Sequence, residues 1–260
     1  MKQRVITAIL LILLVVPCVI IGSYPFYLLA MAFICLASYE IMRLFDQKWP
    51  KWAVYSIYLF FLITVVLAII DPLKAISLSI VFLMYLFLLL IIFPQIQFEH
   101  IGLIFMIYFL AILTVISLLI CQKIDRMVVV LILLGTYITD TFALFCGMLF
   151  GKHKLNERIS PKKTIEGSVG GFIISTIVCL SFSFIFIKGF PIELSIVASI
   201  TLPIMGQIGD LAFSAIKRHF AIKDFGNIFP GHGGILDRID SLIFNSVWIL
   251  FLLVIFGWAL

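Results

Sequence analysis

Apolar runs long enough to cross a bilayer follow one another along the whole chain, separated by short polar breaks. A spanning helix needs about 20 predominantly apolar residues. Nine such stretches can be placed: Val5 to Ile21, Tyr24 to Met42, Trp52 to Ile70, Leu73 to Phe93, Phe98 to Ile120, Met127 to Phe150, Ser168 to Ile187, Glu193 to Phe213 and Ser241 to Leu260. Lys2 and Arg4 before the first run give it the layout of a signal peptide. No small-x-small cleavage site follows it and eight more spans do, so it reads as a retained helix. The pattern predicts an all-α, polytopic integral membrane protein. It forms a single membrane domain over 1–260, with plain helices over 1–126 and a chemically richer half over 127–260.

Composition agrees. The 260 residues are 64% hydrophobic and 12% charged, with mean hydropathy +1.27, against roughly 45–50% apolar and about 25% charged in soluble proteins. The five cysteines lie in or beside apolar runs without CxxC or Cys/His spacing, which argues against a zinc site or a disulfide framework. The net charge of +5 does not point to nucleic acid, because the cations sit in short loops. With the N-terminus inside, fourteen of the eighteen Lys and Arg residues fall on the cytoplasmic side, the positive-inside bias of a cell-membrane protein. On that topology the loops 151–167 and 214–240 face the cytoplasm and the C-terminus does not.

Those two loops hold the candidate chemistry. In 151–167, Ser160 followed by Pro161 has the form of an N-cap and first helical position, so a helix is expected to start there. Lys162 and Lys163 would then occupy its first turn, where a bound phosphate would receive both ammonium groups, backbone N–H groups and the Ser160 or Thr164 hydroxyl. The plain alternative is that these lysines only touch anionic lipid heads. Gly147 to Lys152 fails as a Walker A loop, because only three residues separate Gly147 from Gly151 and His153 stands where Ser or Thr should be. Gly147 with Gly151, and Gly167 with Gly171, are four apart and suit close helix packing.

Carboxylates inside the spans are costly and point to function by default. Asp140 lies in the sixth span, where a packing role with Thr136, Thr139 or Thr141 is the alternative, and Asp210 lies near the cytoplasmic end of the eighth. Asp237 and Asp240, three apart, would share one face of a helix leading into the ninth span. Such a pair suits a hard divalent ion bridged to phosphates, with Arg238 between them as a phosphate clamp. The competing reading is a solvated, dipole-favoured helix start. His232 within Pro230-Gly231-His232-Gly233-Gly234 is either a site residue or part of a turn.

Taken together, these residues resemble the phosphatidate cytidylyltransferase family. Its pattern Ser-x-hydrophobic-Lys-Arg, then Lys-Asp-x-Gly, then Phe-Pro-x-His-Gly-Gly-hydrophobic-x-Asp-Arg-hydrophobic-Asp runs without a gap from Ser214 to Asp240. A second block matches at Ser160-Pro161-Lys162-Lys163-Thr164-x-Glu166-Gly167, and the sixth-span aspartate at Asp140. The N-terminal half matches only in hydropathy. The resemblance implies that CTP and phosphatidate give CDP-diacylglycerol and pyrophosphate with Mg²⁺ or Mn²⁺, and leaves room for a second cation. It places the metal on Asp210, Asp237 and Asp240, with Asp140 as a further candidate. The catalytic set it implies is Asp210, Lys217, Arg218, Lys223, Asp224, His232, Asp237, Arg238 and Asp240. Ser160, Lys162, Lys163, Thr164, Ser214, Gly233 and Gly234 would contact substrate. Two positions depart from the family's habit: Phe213 stands where a carboxylate often precedes the serine, and Phe225 where a small polar residue often follows Lys-Asp. The implied partners are CTP, phosphatidate and the bilayer, with no nucleic acid; a homodimer is compatible with the pattern.

The chemistry also suits the residues. A phosphate monoester with a second pKa near 6 is already an anionic nucleophile at neutral pH, so the site must hold it in line and offset its repulsion from a triphosphate. Rival readings are a CTP-dependent polyprenol kinase or a sugar-phosphate transferase, which should lack the Pro-Gly-His-Gly-Gly block, and a transporter, which should spread polar residues through several spans.

Overall fold

The computed structural model describes residues 13–45, 49–229 and 233–258. Residues 13–21 are helical, and the first eight residues of the first expected span, 5–12, lie outside the described residues. Eight longer helices follow: α1 (Ser23–Arg43), α2 (Lys51–Ile70), α3 (Pro72–Ile92), α4 (Phe98–Ile124), α5 (Arg126–Phe150), α6 (Ile165–Phe186), α7 (Ile192–His219) and α8 (Leu236–Ile255). All eight are long and apolar enough to cross a membrane. The only strands among the described residues are β1 (Lys154–Asn156) and β2 (Ser160–Thr164), an antiparallel hairpin. The polar connection expected over 214–240 is shorter than the sequence suggested: α7 continues to His219 and α8 already starts at Leu236.

The chain forms two compact units. One comprises residues 1–119 with 224–237, the other 120–223 with 238–260. In the first, adjacent helices turn within very few residues. Asp71 ends α2 and caps α3, accepting from Leu73 N at 3.0 Å, with Pro72 at the first helical position where its missing N–H costs nothing. The core centres on Phe61, Phe82 and Tyr108, with ring centroids 4.1–6.2 Å apart. The buried Tyr108 hydroxyl pairs with Thr64 Oγ1 at 2.5 Å, which satisfies the one polar atom that this aromatic cluster encloses.

In the second unit α5, α6 and α7 pack closely because glycines line their contacts. A Cβ on Gly167 would stand 2.5 Å from Ala143 O, and one on Gly171 2.7 Å from Thr139 O. The spacing of small residues thus allows the close helix approach expected of it. Asn245 Nδ2 donates to Thr136 Oγ1 at 2.8 Å, and Trp248 Nε1 to Thr201 Oγ1 at 2.7 Å, fixing α8 against α5 and α7.

The end of α7 carries a local strain. Ile222 N bonds back to Lys217 O at 2.9 Å and Ala221 N to Arg218 O at 3.1 Å, the pattern of a helix stop whose residue after the cap is left-handed. That residue is Ala221, with φ 53°. Glycine adopts this conformation without a Cβ penalty, so Ala221→Gly is expected to stabilise the protein by about 0.5–1 kcal/mol, net of glycine's larger chain entropy. Thermal unfolding in detergent checks it; an unchanged or lower midpoint would show that the turn carries no such strain.

Candidate functional site

The loop 151–167 folds differently from its sequence reading. Ser160 and Pro161 do not start a helix; Ser160 to Thr164 form strand β2, and α6 begins at Ile165. Thr164 is the N-cap, its Oγ1 accepting from Gly167 N at 3.1 Å. The hydroxyl four residues further on, placed directly before the apolar run, wins because only there do free N–H groups of the helix come within reach. The helix-start argument for Lys162 and Lys163 therefore falls. Both lie on the hairpin, Lys162 exposed and Ser160 half-buried. Glu166 fastens the hairpin's base, accepting from Lys152 N at 3.0 Å, His153 N at 3.2 Å and His153 Nδ1 at 2.6 Å.

From β2, Lys163 reaches α7 and forms an ion pair with Asp210. Asp210, Ser214 and Lys217 follow at helical spacing along α7, so they share one face. Ser214 is half-buried and Lys217 is 8% exposed. Lys163 also lies within electrostatic range of Asp140, Asp240 and Lys217; burial pulls its ammonium below the ordinary lysine value, against the opposing pull of those two carboxylates. Asp240 has Lys163, Lys217 and Arg238 around it, and Asp140 has Lys163 and Arg238. Four elements of the second unit, α5, β2, α7 and α8, thus bring three carboxylates and three cations into one cluster. Asp140 does not serve the threonines beside it. Thr136, Thr139 and Thr141 each donate to a carbonyl one turn back in their own helix, and the Asp140 side chain is exposed. Arg238 Nε is buried with no hydrogen-bond partner among the described residues, a donor kept out of water for which those residues provide no acceptor.

Other expected site residues have structural partners. Arg218 Nε donates to Ile159 O at 3.2 Å, tying the hairpin turn to the end of α7. Asp237 Oδ2 accepts from Phe225 N at 2.8 Å and Gly234 N at 2.9 Å. Asp237 and Asp240 do occupy the start of one helix, but they serve different groups: one shapes a loop, the other faces cations. Gly233 has φ 85°, and a Cβ there would stand 2.9 Å from Asp237 Oδ2 and 3.2 Å from Asp224 Oδ1. Lys223 and Asp224 are exposed, and His232 lies outside the described residues. Phe213 and Phe225, the two departures from the family's habit, are buried at 1% and 3% exposure. Among the described residues no three His, Cys, Asp or Glu side chains converge on a common metal position.

Sequence reasoning missed Glu40. It is fully buried in α1, and its carboxylate accepts from Ile235 N at 2.8 Å and Leu236 N at 2.9 Å. The available signal was a carboxylate inside the second apolar run, three residues before Arg43.

A family model described as the cytidylyltransferase family matches residues 2–256. Among similar proteins, the phosphatidate cytidylyltransferase of Staphylococcus haemolyticus (strain JCSC1435) is 52% identical over 111 residues, 43% of this chain and 43% of that protein. That of Bacillus subtilis (strain 168) is 44% identical over 119 residues, 46% of this chain and 44% of that protein. A third, from Staphylococcus saprophyticus, is 50% identical over 111 residues. Each match spans less than half the length of the curated relative.

Proposed function

We propose that this chain, which belongs to the cytidylyltransferase family, transfers a cytidylyl group from CTP to phosphatidate, releasing pyrophosphate and leaving CDP-diacylglycerol in the membrane. The observation that carries the reading is the cluster of Lys163, Lys217 and Arg238 interleaved with Asp140, Asp210 and Asp240, carried by strand β2 and by three helices long enough to span a bilayer. Family membership gives no support to the transporter alternative, and charged side chains that α5, α7 and α8 carry gather in one cluster.

The lipid phosphate brings its own nucleophilic oxygen, so no side chain need act as general base. What the protein must supply is position and charge. The attacking oxygen must lie in line with the α-phosphorus and the departing pyrophosphate, and two polyanions must be held together. Lys163 and Lys217 would bind phosphate oxygens, and the buried Arg238 guanidinium would form charge-assisted hydrogen bonds with them. The all-oxygen donor set fits a hard divalent ion of the Mg²⁺ kind, which takes one or two carboxylates and completes its shell with substrate phosphates and water. Asp140 and Asp240 would hold it, since Asp210 is engaged by Lys163 and Asp237 by loop amides. Such an ion would supply neutralisation of the triphosphate charge.

Pyrophosphate release by purified protein, with phosphatidate and each of the four ribonucleoside triphosphates, tests the reading. CTP alone should support turnover and excess EDTA should abolish it. Equal use of ATP, or full activity in EDTA, would reject it. We further propose that the hairpin and the 220–235 loop face the cytoplasm, a reading that the charge asymmetry supports. On a cysteine-free background, single cysteines at the exposed positions Glu157 and Asn227 should resist an impermeant thiol reagent applied outside intact cells. Labelling there before lysis would reverse the topology.

A further inference from the structure

Both oxygens of Glu40 are committed: Oε1 accepts from Ile235 N at 2.8 Å and Oε2 from Leu236 N at 2.9 Å. These N–H groups belong to the start of α8, where a helix leaves its donors without intrahelical partners and favours a negative charge. The chain makes room for this carboxylate at two separate places. A Cβ on Gly226 would stand 2.5 Å from Glu40 Oε1, and a Cβ on Gly234 2.3 Å from it, distances that no real side chain occupies. Glu40 is fully buried, so the space beside these glycines is filled by protein. Gly234, which the family resemblance set against substrate, instead admits a carboxylate from a helix almost two hundred residues earlier, and Gly226 does the same.

We propose that Glu40 is a positioning residue for the transfer reaction: it pins the first turn of α8 and the Phe225–Gly226 and Gly233–Gly234 segments, and so sets where Arg238 and Asp240 stand. The role rests on the function proposed above. Asp237 completes the arrangement from within the loop, holding Phe225 N and Gly234 N, so that consecutive amides from Gly234 to Leu236 are all bound by carboxylates. Arg238 and Asp240 lie two and four residues beyond the pinned Leu236 on the same helix. A rigid helix carries any displacement of its first turn to them, and misplacement by about 1 Å can reduce a rate roughly 10²-fold.

The test uses the full chain purified in detergent. Glu40→Gln keeps the shape but turns an NH₂ donor toward a backbone N–H, so one of the two bonds is lost. Turnover should fall roughly 10- to 100-fold, with KM for CTP changed less than about threefold, because the residue touches no substrate. Gly234→Ala should fall as far by itself, yet add little in a Glu40→Ala background, where the atoms it would strike are gone. Glu40→Gln at full turnover, or additive losses in the double variant, would overturn the proposal. Hydrogen exchange on the unaltered protein keeps it testable even if variants fail to fold: the Ile235 and Leu236 amides should be among the slowest in the 220–240 region, and fast exchange there overturns the pinning directly. Protected amides in a protein that releases no pyrophosphate from CTP would overturn the transfer reading while leaving the pinning in place.

Discussion

Asp240→Asn is expected to fold like the parent and to turn over roughly 10²-fold more slowly or worse, the scale of losing one preorganised electrostatic contact in a transition state. The side chain is 7% exposed, and its Oδ1 accepts from Ser241 N at 2.8 Å. An asparagine oxygen can keep that bond, so the substitution removes charge and little else. The charge matters because Lys163, Lys217 and Arg238 surround it, and because a divalent ion at this place would need it. Loss should fall on kcat more than on KM, and Asp140→Asn combined with it should cost less than the sum, since groups serving one centre act as a unit. Asp237→Asn should behave differently. Its carboxylate holds two loop amides, so weakening that acceptor should lower the unfolding midpoint and hasten proteolysis of the 220–235 loop. Steady-state pyrophosphate release at saturating Mg²⁺, with thermal unfolding alongside, separates the two. A folded Asp240→Asn enzyme with near-normal turnover would remove Asp240 from the site.

Lys163→Ala should reduce kcat/KM by roughly 10²- to 10³-fold, a larger loss than exposed phosphate-binding lysines give, because two effects combine. It takes one of three cations from the cluster, and it leaves Asp210 without its ion-pair partner. Lys162, exposed on the same strand, provides the internal control: Lys162→Ala should act mainly on KM and by much less. The pH profile gives a second check. Burial lowers the Lys163 ammonium from the ordinary lysine value, so its positive charge is present below that lowered pKa and lost as pH rises through it. Activity should therefore decline on the alkaline side earlier than an ordinary lysine would require, and Lys163→Arg, charged throughout, should move that decline to higher pH. Loss of less than about fivefold in Lys163→Ala would show that the cluster does not depend on it.

The sequence by itself determined the class of protein and the region of its chemistry. Hydrocarbon demands some twenty consecutive apolar residues with every backbone group satisfied inside the helix, a strictly local requirement, so the spans from α1 onward could be read directly, and the largest displacements were at the end of α7, which runs on to His219, and in α8, which starts at Leu236. A match from Ser214 to Asp240 needed no folding to be seen, and the close glycine packing of α5 on α6 was legible from four-residue spacing. Tertiary structure decided whatever depended on a partner far along the chain. Ser160 and Pro161 carry a sound helix-start signal, but β1 pairs with β2 and Thr164 offers the better-placed cap, so the hairpin prevails. Spacing put Asp237 and Asp240 on one helix and could not say that one would turn to loop amides and the other to cations. Nor could it give Glu40 a partner. A buried carboxylate is tolerable only where donors already wait for it, and those donors lie 195 and 196 residues away.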